Sequence, residues 1–248
     1  MDIDCIAIDN TWGPWAGRCR GGFDFTLLFE EVLFVVLPTA LLLVAAPIQV
    51  AWLRGQTKQS GKGILLPLKQ VRTPSSQGMV MQLTRYAQAL IGILGTLKLA
   101  VLILWVVLGP EKTKVTLAAS TLNLLVVFPL CLLSYSEHVF RVAPSLLVEL
   151  YVLLTLGFDI VRIRTLWFIP GATYIAGVEC GALAIKLCLA VAEGCGKQGI
   201  LQDHDKAYTT EQLSGLYSRS LFLWLGPTLW NGRPSSILFP RTVYLSSP

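Results

Sequence analysis

Arg85–Leu108 reads RYAQALIGILGTLKLAVLILWVVL, and Gly109-Pro110 closes it. Past the terminal arginine, Lys98 is its only charged residue. Coiled as an α-helix, the stretch is about 36 Å long, enough to cross about 30 Å of bilayer hydrocarbon. Its solvent is therefore lipid.

Other runs of the same kind lie on either side. The first covers about 25–53, FTLLFEEVLFVVLPTALLLVAAPIQVAWL, with Pro38 and Pro47 tolerated because a spanning helix re-satisfies the freed carbonyls locally. A third covers about 115–134 and follows the short charged turn Glu111–Lys114, so the second and third form an antiparallel hairpin. A fourth, about 142–160, is interrupted by Glu149 and Asp159, and a fifth, about 170–192, opens with Pro170 in its first turn. The reading is an all-α integral membrane bundle of about five transmembrane helices, over 25–192. Residues 1–24 precede it, and residues 193–248 form a polar linker containing a short interfacial helix.

Composition agrees. The chain is 54% hydrophobic and 14% charged, with a mean hydropathy of +0.62, whereas a soluble domain carries about a quarter charged residues. The net charge of +5 comes mainly from loop residues, an arrangement that suits lipid headgroups and membrane topology. Nucleic acid would call for a clustered basic face, so none is expected as a partner. Met1–Asn10 holds Asp2, Asp4 and Asp9 and no Lys or Arg, so the first run reads as a retained anchor.

Orientation follows from the loop cations. Arg54, Lys58, Lys62, Lys69, Arg72, Arg85, Arg141 and five tail residues fall on one side. Arg18, Arg20, Lys112, Lys114, Arg162 and Arg164 fall on the other. The positive-inside rule then puts the N-terminus outside and the tail in the cytoplasm. Outside, Cys5 and Cys19 meet an oxidising compartment, where a disulfide between them and two free thiols are both open readings.

No catalytic or cofactor machinery is evident. Gly55 to Gly63 is glycine-rich and contains Lys62, but for a phosphate-binding P-loop its first glycine is one place early and Gly63 replaces the hydroxyl residue. His138 and His204 have no ligand-type neighbours at metal spacing, and no serine has a nucleophile-elbow context.

Charges at membrane depth carry the information, because each costs a few kcal/mol or more there unless paired or hydrated. Helical rise puts Lys98 and Glu179 at similar depth, and likewise Glu149 and Lys186. The expectation is that the fifth helix is central and pairs Glu179 with Lys98 and Lys186 with Glu149. Fixing helix packing is one role for these pairs, and an ion or proton path is another. Gly177 and Gly181 add a GxxxG step on the same helix.

After Ala192 comes a polar stretch, then Thr210–Pro227, TEQLSGLYSRSLFLWLGP. This string resembles the cytoplasmic linker of fungal subfamily C ABC transporters, the multidrug-resistance-associated type. Ser218-Arg219 and the run from Phe222 through Trp224 to Pro227 match the pair and aromatic elbow that precede the transporter core. Asn231-Gly232 is similar to the turn that follows. Phe158–Trp167, FDIVRIRTLW, resembles that family's segment between the fourth and fifth helices.

The resemblance implies a five-helix accessory domain with its linker, associated with trafficking, membrane retention and partner docking, with ATP hydrolysis located elsewhere. Pro234–Arg241 departs from the family's acidic continuation, so the expectation is a fragment without the core and without bound ATP. The partners implied are the lipid bilayer and an ABC transporter core or another membrane protein, in the plasma or vacuolar membrane. A free-standing scaffold or regulator, and a small intramembrane enzyme or ion carrier, are the competing classes. Membrane-impermeant labelling of tags on the two ends should reach only the N-terminal one from outside. Reduction should raise the intact mass by one hydrogen pair if Cys5 and Cys19 are bonded, and leave it unchanged if they are free.

Overall fold

Long runs of Leu, Val, Ile and Ala leave the backbone only itself to hydrogen-bond with in lipid, and helices are the result. The structure, a computed structural model, describes residues 8–17, 22–59, 74–109, 113–140 and 146–194. Helix α1 starts as Leu27–Phe29, widens into a π-helical stretch at Glu30–Val36 and continues as Leu37–Gln59. Helix α2 is Pro74–Val107, and α3 comprises Thr116–Leu125 and Val127–Phe140 joined at Val126. Helices α4 and α5 are Leu146–Phe168 and Thr173–Gly194. Strands β1, Pro14–Gly17, and β2, Gly22–Phe25, pair antiparallel ahead of them.

Prolines account for both irregular helices. Pro38 lacks the N–H that would close the turn on Phe34, and the π-helical stretch ends just before it. Thr39 Oγ1 donates to the carbonyls of Val35 and Val36, at 2.6 and 2.9 Å, and so satisfies groups the irregular turn loosens. In α3, Pro129 removes the bond to Leu125, the last residue before the break at Val126.

Four of the helical runs, Leu27–Gly55, Thr84–Val107, Thr116–Glu137 and Thr173–Glu193, are long and apolar enough to cross a membrane. Helix α4, with 23 residues, is about 34 Å long and carries Glu149, Asp159, Arg162 and Arg164. Three of these charges are buried and the exposed Arg164 lies near the hairpin end, paired with Asp24, so the lipid-facing side of α4 is otherwise apolar. The fourth helix therefore extends to Phe168, past the limit near residue 160 expected from sequence. Arg162 looked like a loop charge, yet it is 2% exposed and paired, so nothing forces the chain out of the helix.

Pro170 also sits differently from expectation. It belongs to the turn between α4 and α5, where Ala172 N–H donates to Ile169 C=O at 3.1 Å and Gly171 has φ of 84°. That is a type II turn, which needs the left-handed conformation glycine adopts freely. The turn sets α4 and α5 antiparallel, and α5 packs on both α2 and α4.

Burial is inverted relative to a soluble protein. Phe128 is 76% exposed and Ile48 64%, whereas Lys98, Glu179 and Arg162 are at most 2% exposed. Apolar side chains face outward because lipid tails are as apolar as they are. Inside are two apolar clusters. One, toward the end that carries the β-hairpin, contains Leu27, Val101, Trp105, Leu166 and Ile175. The other, toward the far end, contains Leu94, Leu130, Leu133, Val152 and Leu189.

The N-terminal hairpin is tied onto its end of the bundle. Thr26 Oγ1 accepts from Phe29 N–H, capping α1, and donates to Thr11 C=O at 2.8 Å. Arg164 Nη1 stands 3.4 Å from Asp24 Oδ1. Phe34 stacks on Phe158 with centroids 4.6 Å apart, joining α1 to α4. Cys5, Cys19 and the motif Ser218, Arg219, Phe222, Trp224 and Pro227 lie outside the described residues, as does the expected interfacial helix.

Gly95 on α2 lets α3 approach: a Cβ there would stand 3.1 Å from Val127 Cγ1, whereas one at Gly92 meets nothing within 4 Å. Gly95→Leu is expected to destabilise the bundle by about 1–3 kcal/mol through overpacking. Gly92→Leu should be tolerated. Thermal unfolding of both variants in the same detergent checks the difference.

Candidate functional site

Between the two apolar clusters lies a layer of charge, fixed by helical spacing. On α2, Lys98 falls between Leu94 and Val101; on α5, Glu179 falls between Ala176 and Ala182. On α4 the inward face reads Thr155, Asp159, Arg162 and Thr165, at steps of three and four residues, and all four are buried. Charged residues thus occupy positions that the same faces fill with Leu, Val and Ala above and below.

The partners are specific. Lys98 Nζ stands 2.5 Å from Glu179 Oε2, and Arg162 Nη1 stands 3.8 Å from Glu179 Oε1. Lys186 Nζ donates to Asp159 Oδ2 at 2.6 Å. One carboxylate on α5 therefore faces cations from α2 and α4, while α4 returns a carboxylate to the α5 lysine. Each ion sits beside a counter-charge, the condition under which ionised groups persist in a bilayer interior.

Helix α1 reaches the same region through its wider first turns. Glu30 and Glu31 are adjacent and both fully buried. Glu30 Oε1 accepts from Thr165 Oγ1 at 2.6 Å, and Glu31 accepts from Thr113 Oγ1. Thr113 in turn bonds Thr116, whose N–H donates back to Thr113 Oγ1 at 3.1 Å, so the start of α3 is held to α1. All five helices contribute to this end of the bundle.

A second polar group lies at the far end. Ser134 Oγ donates to Glu193 Oε1 at 2.5 Å, and Gln49 Nε2 donates to Glu137 Oε1 at 3.4 Å. Cys131 Sγ donates to Gln88 Oε1, and Gln88 Nε2 donates to the Cys131 carbonyl. Leu94, Leu130, Val152 and Leu189 stand between the two polar regions.

The expected residues fall as follows. Lys98 and Glu179 meet. Lys186 meets Asp159 and not Glu149, which corrects the second expected pair. The cause is helix length. Helix α4 starts at Leu146, so Glu149 lies in its first turn, about 4–5 Å from the far end, while Lys186 lies about 12 Å from the end of α5 at Gly194. Glu149 is 1% exposed and occupies the positive end of the α4 dipole. Gly181 faces Leu97 of α2 at van der Waals distance, and Gly177 meets nothing within 4 Å.

Sequence reading missed Arg162, Glu30, Glu31, Glu137 and Glu193 as buried groups. For Arg162 a signal existed: Thr155, Asp159 and Arg162 share one helical face. Glu30 and Glu31 lie in the π-helical turn, whose spacing no α-helical periodicity shows. Among the described residues, no cluster of three His, Cys, Asp or Glu is placed to hold a metal ion.

A bundle of long apolar helices with charge inside and hydrocarbon-compatible side chains outside is a multi-pass integral membrane protein. Its homologues are fungal ABC transporters. The chain is 33% identical to ABC multidrug transporter B of Aspergillus fumigatus over 233 residues, which is 93% of this chain and 15% of that protein. It is 33% identical to an ABC-type transporter of Gibberella zeae, over 99% of this chain and 16% of the relative. With the ABC multidrug transporter lscH of Purpureocillium lilacinum it shares 31%, over 94% of this chain and 14% of the relative. No family model matches. The chain thus spans about 15% of the length of these relatives.

A double-mutant cycle tests the pairing. Asp159→Leu alone leaves Lys186 buried without its counter-charge and is expected to cost about 3–5 kcal/mol, and adding Lys186→Met should recover much of that loss. Glu149→Gln combined with Lys186→Met should be additive. Reversible unfolding in mixed micelles measures both cycles.

Proposed function

We propose that the chain is the non-catalytic accessory membrane part of an ABC-type exporter of subfamily C, serving trafficking and docking. The observation that carries the reading is the match itself: nearly all of this chain aligns with transporters, yet it accounts for about 15% of their length. ATP-driven transport then belongs to the remainder of such proteins. The charge layer fits a structural role, because its groups pair with one another and apolar side chains separate it from the far-end polar groups.

On this reading residues 25–192 are the membrane unit, 1–24 lie on the extracytoplasmic face, and 193–248 are a cytoplasmic linker. Ser218, Arg219, Phe222, Trp224 and Pro227 dock that linker on a transporter core. The membrane is that of the plasma membrane or the vacuole, and the chain itself binds no ATP.

A chimera tests this. The chain replaces its matching segment in the Aspergillus fumigatus transporter, and export and membrane location are compared with the parent and with a version lacking the segment. The account expects the chimera to reach the parent's membrane and export with parental ATP dependence. The purified chain alone should take no label from a photoreactive ATP analogue. Specific labelling of the chain, competed by ATP, would contradict the proposal. Retained location and export without the segment would point instead to an independent scaffold.

A further inference from the structure

The β-hairpin stands beside the bundle, against α1 and α4. Arg164 Nη2 donates to Phe23 C=O at 3.4 Å, so β2 passes α4 before that helix ends at Phe168, about 9 Å beyond Arg162. Aromatic rings continue the contact along α1. Trp12 meets Phe29 edge-on with centroids 5.1 Å apart, and Phe25 packs on Phe29 and Phe34 at 5.5 and 5.6 Å. Phe34 stacks on Phe158, about 6 Å to the far side of Arg162, and α1 begins at Leu27, no more than about 10 Å back toward the hairpin. Helix α1 thus starts about one turn short of the level reached by α4 and α5, and the hairpin occupies the missing height.

The other helices mark what lies at that height. Taking Lys98, Glu179 and Arg162 as one level, exposed Trp167 and Tyr174 both lie about 7–8 Å toward the hairpin, and exposed Tyr86 about 18 Å to the far side. The two aromatic levels are about 26 Å apart, close to the thickness of bilayer hydrocarbon, and Trp and Tyr collect where hydrocarbon meets headgroups. Trp12, Trp15 and Phe23 of the hairpin are exposed at the nearer level. Trp15 is opposite Asp24 and Phe23 opposite Ala16, so the rings of Trp15 and Phe23 leave opposite faces. In water, a two-stranded ribbon of four-residue strands with a bare ring on each face is marginal. In hydrocarbon, the outer edges of its strands would lack hydrogen-bond partners. The headgroup layer meets both demands. We propose that the hairpin is an interfacial anchor, lying in the phospholipid headgroup layer at the α1–α4 flank with the rings of Trp12, Trp15 and Phe23 against lipid. The inference concerns how this chain meets the bilayer and stands whether or not the accessory role holds.

Fluorine NMR of the full chain in phosphatidylcholine nanodiscs, with 5-fluorotryptophan at every Trp, tests it. Trp12→Phe, Trp15→Phe, Trp105→Phe and Trp167→Phe each delete one signal and so assign it, and paramagnetic relaxation is then read in the unsubstituted chain. One agent is phosphatidylcholine with a nitroxide on the fifth acyl carbon, and the other is a water-soluble gadolinium chelate. Trp105, fully buried on α2, is the shielded reference, and Trp167 the lipid-facing one. The expected result is that the nitroxide lipid relaxes Trp12 and Trp15 about as strongly as Trp167 and several-fold more strongly than Trp105. Relaxation at Trp12 and Trp15 nearer to that of Trp105 than to that of Trp167 would overturn the proposal. Strong relaxation by the chelate would then place the rings in water, and weak relaxation would place them under protein, such as a second copy of the chain. A Trp167 signal no more affected by the nitroxide lipid than Trp105 would overturn it as well, since the level assigned to the membrane surface would be wrong.

Discussion

A lysine or carboxylate in hydrocarbon is costly unless a counter-charge stands beside it, and in this bundle that condition joins α2, α4 and α5 at Lys98, Glu179, Arg162, Asp159 and Lys186. Lipid tails solvate Leu and Val as well as a protein interior does, so hydrophobicity alone does not tell a membrane helix which way to face. The charges do. Rotating α5 by a third of a turn would put Glu179 and Lys186 against acyl chains. Sliding it by one turn would separate both from their partners by about 5 Å. Register and rotation are thus set by a few polar contacts within an otherwise permissive apolar stack.

The rest of the fold is arranged around that layer. The type II turn at Pro170-Gly171 makes α4 and α5 antiparallel with little slack, so Asp159 and Lys186 come to meet across it. The widened first turns of α1 bring two consecutive glutamates inward, and threonines from α4 and the start of α3 receive them. The β-hairpin closes that end through Thr26 and Arg164. Buried ion pairs are weak evidence for net stability, since well-packed apolar residues often do as well. Their value here is specificity, because they fix which face of each helix points inward.

Much of this was legible in the sequence because hydrocarbon imposes a coarse rule: runs of about 20 apolar residues become helices. The α2–α3 hairpin, the packing of α5 on α2 and α4 and the depth match of Lys98 with Glu179 follow from counting residues. What failed was the assumption that charge ends a membrane helix. In the sequence Arg162 reads as a loop residue, which shortens α4 at the hairpin end, while starting α4 near residue 142 instead of Leu146 matches Lys186 with Glu149. Once Arg162 is recognised as paired, α4 gains two turns and Asp159 becomes the partner. Glu30 and Glu31 were hidden for another reason: they lie in a π-helical turn, whose spacing α-helical periodicity does not show.

The central claim is that these charges meet in pairs inside the bilayer. Solid-state NMR on the chain in phospholipid bilayers, with lysine side-chain nitrogens and aspartate and glutamate carboxyl carbons labelled, measures it through nitrogen–carbon dipolar recoupling. The account predicts strong dephasing of Lys98 Nζ by Glu179 and of Lys186 Nζ by Asp159. Two lysine nitrogens without a carboxyl neighbour, or a Lys186 signal dephased by Glu149, would contradict it.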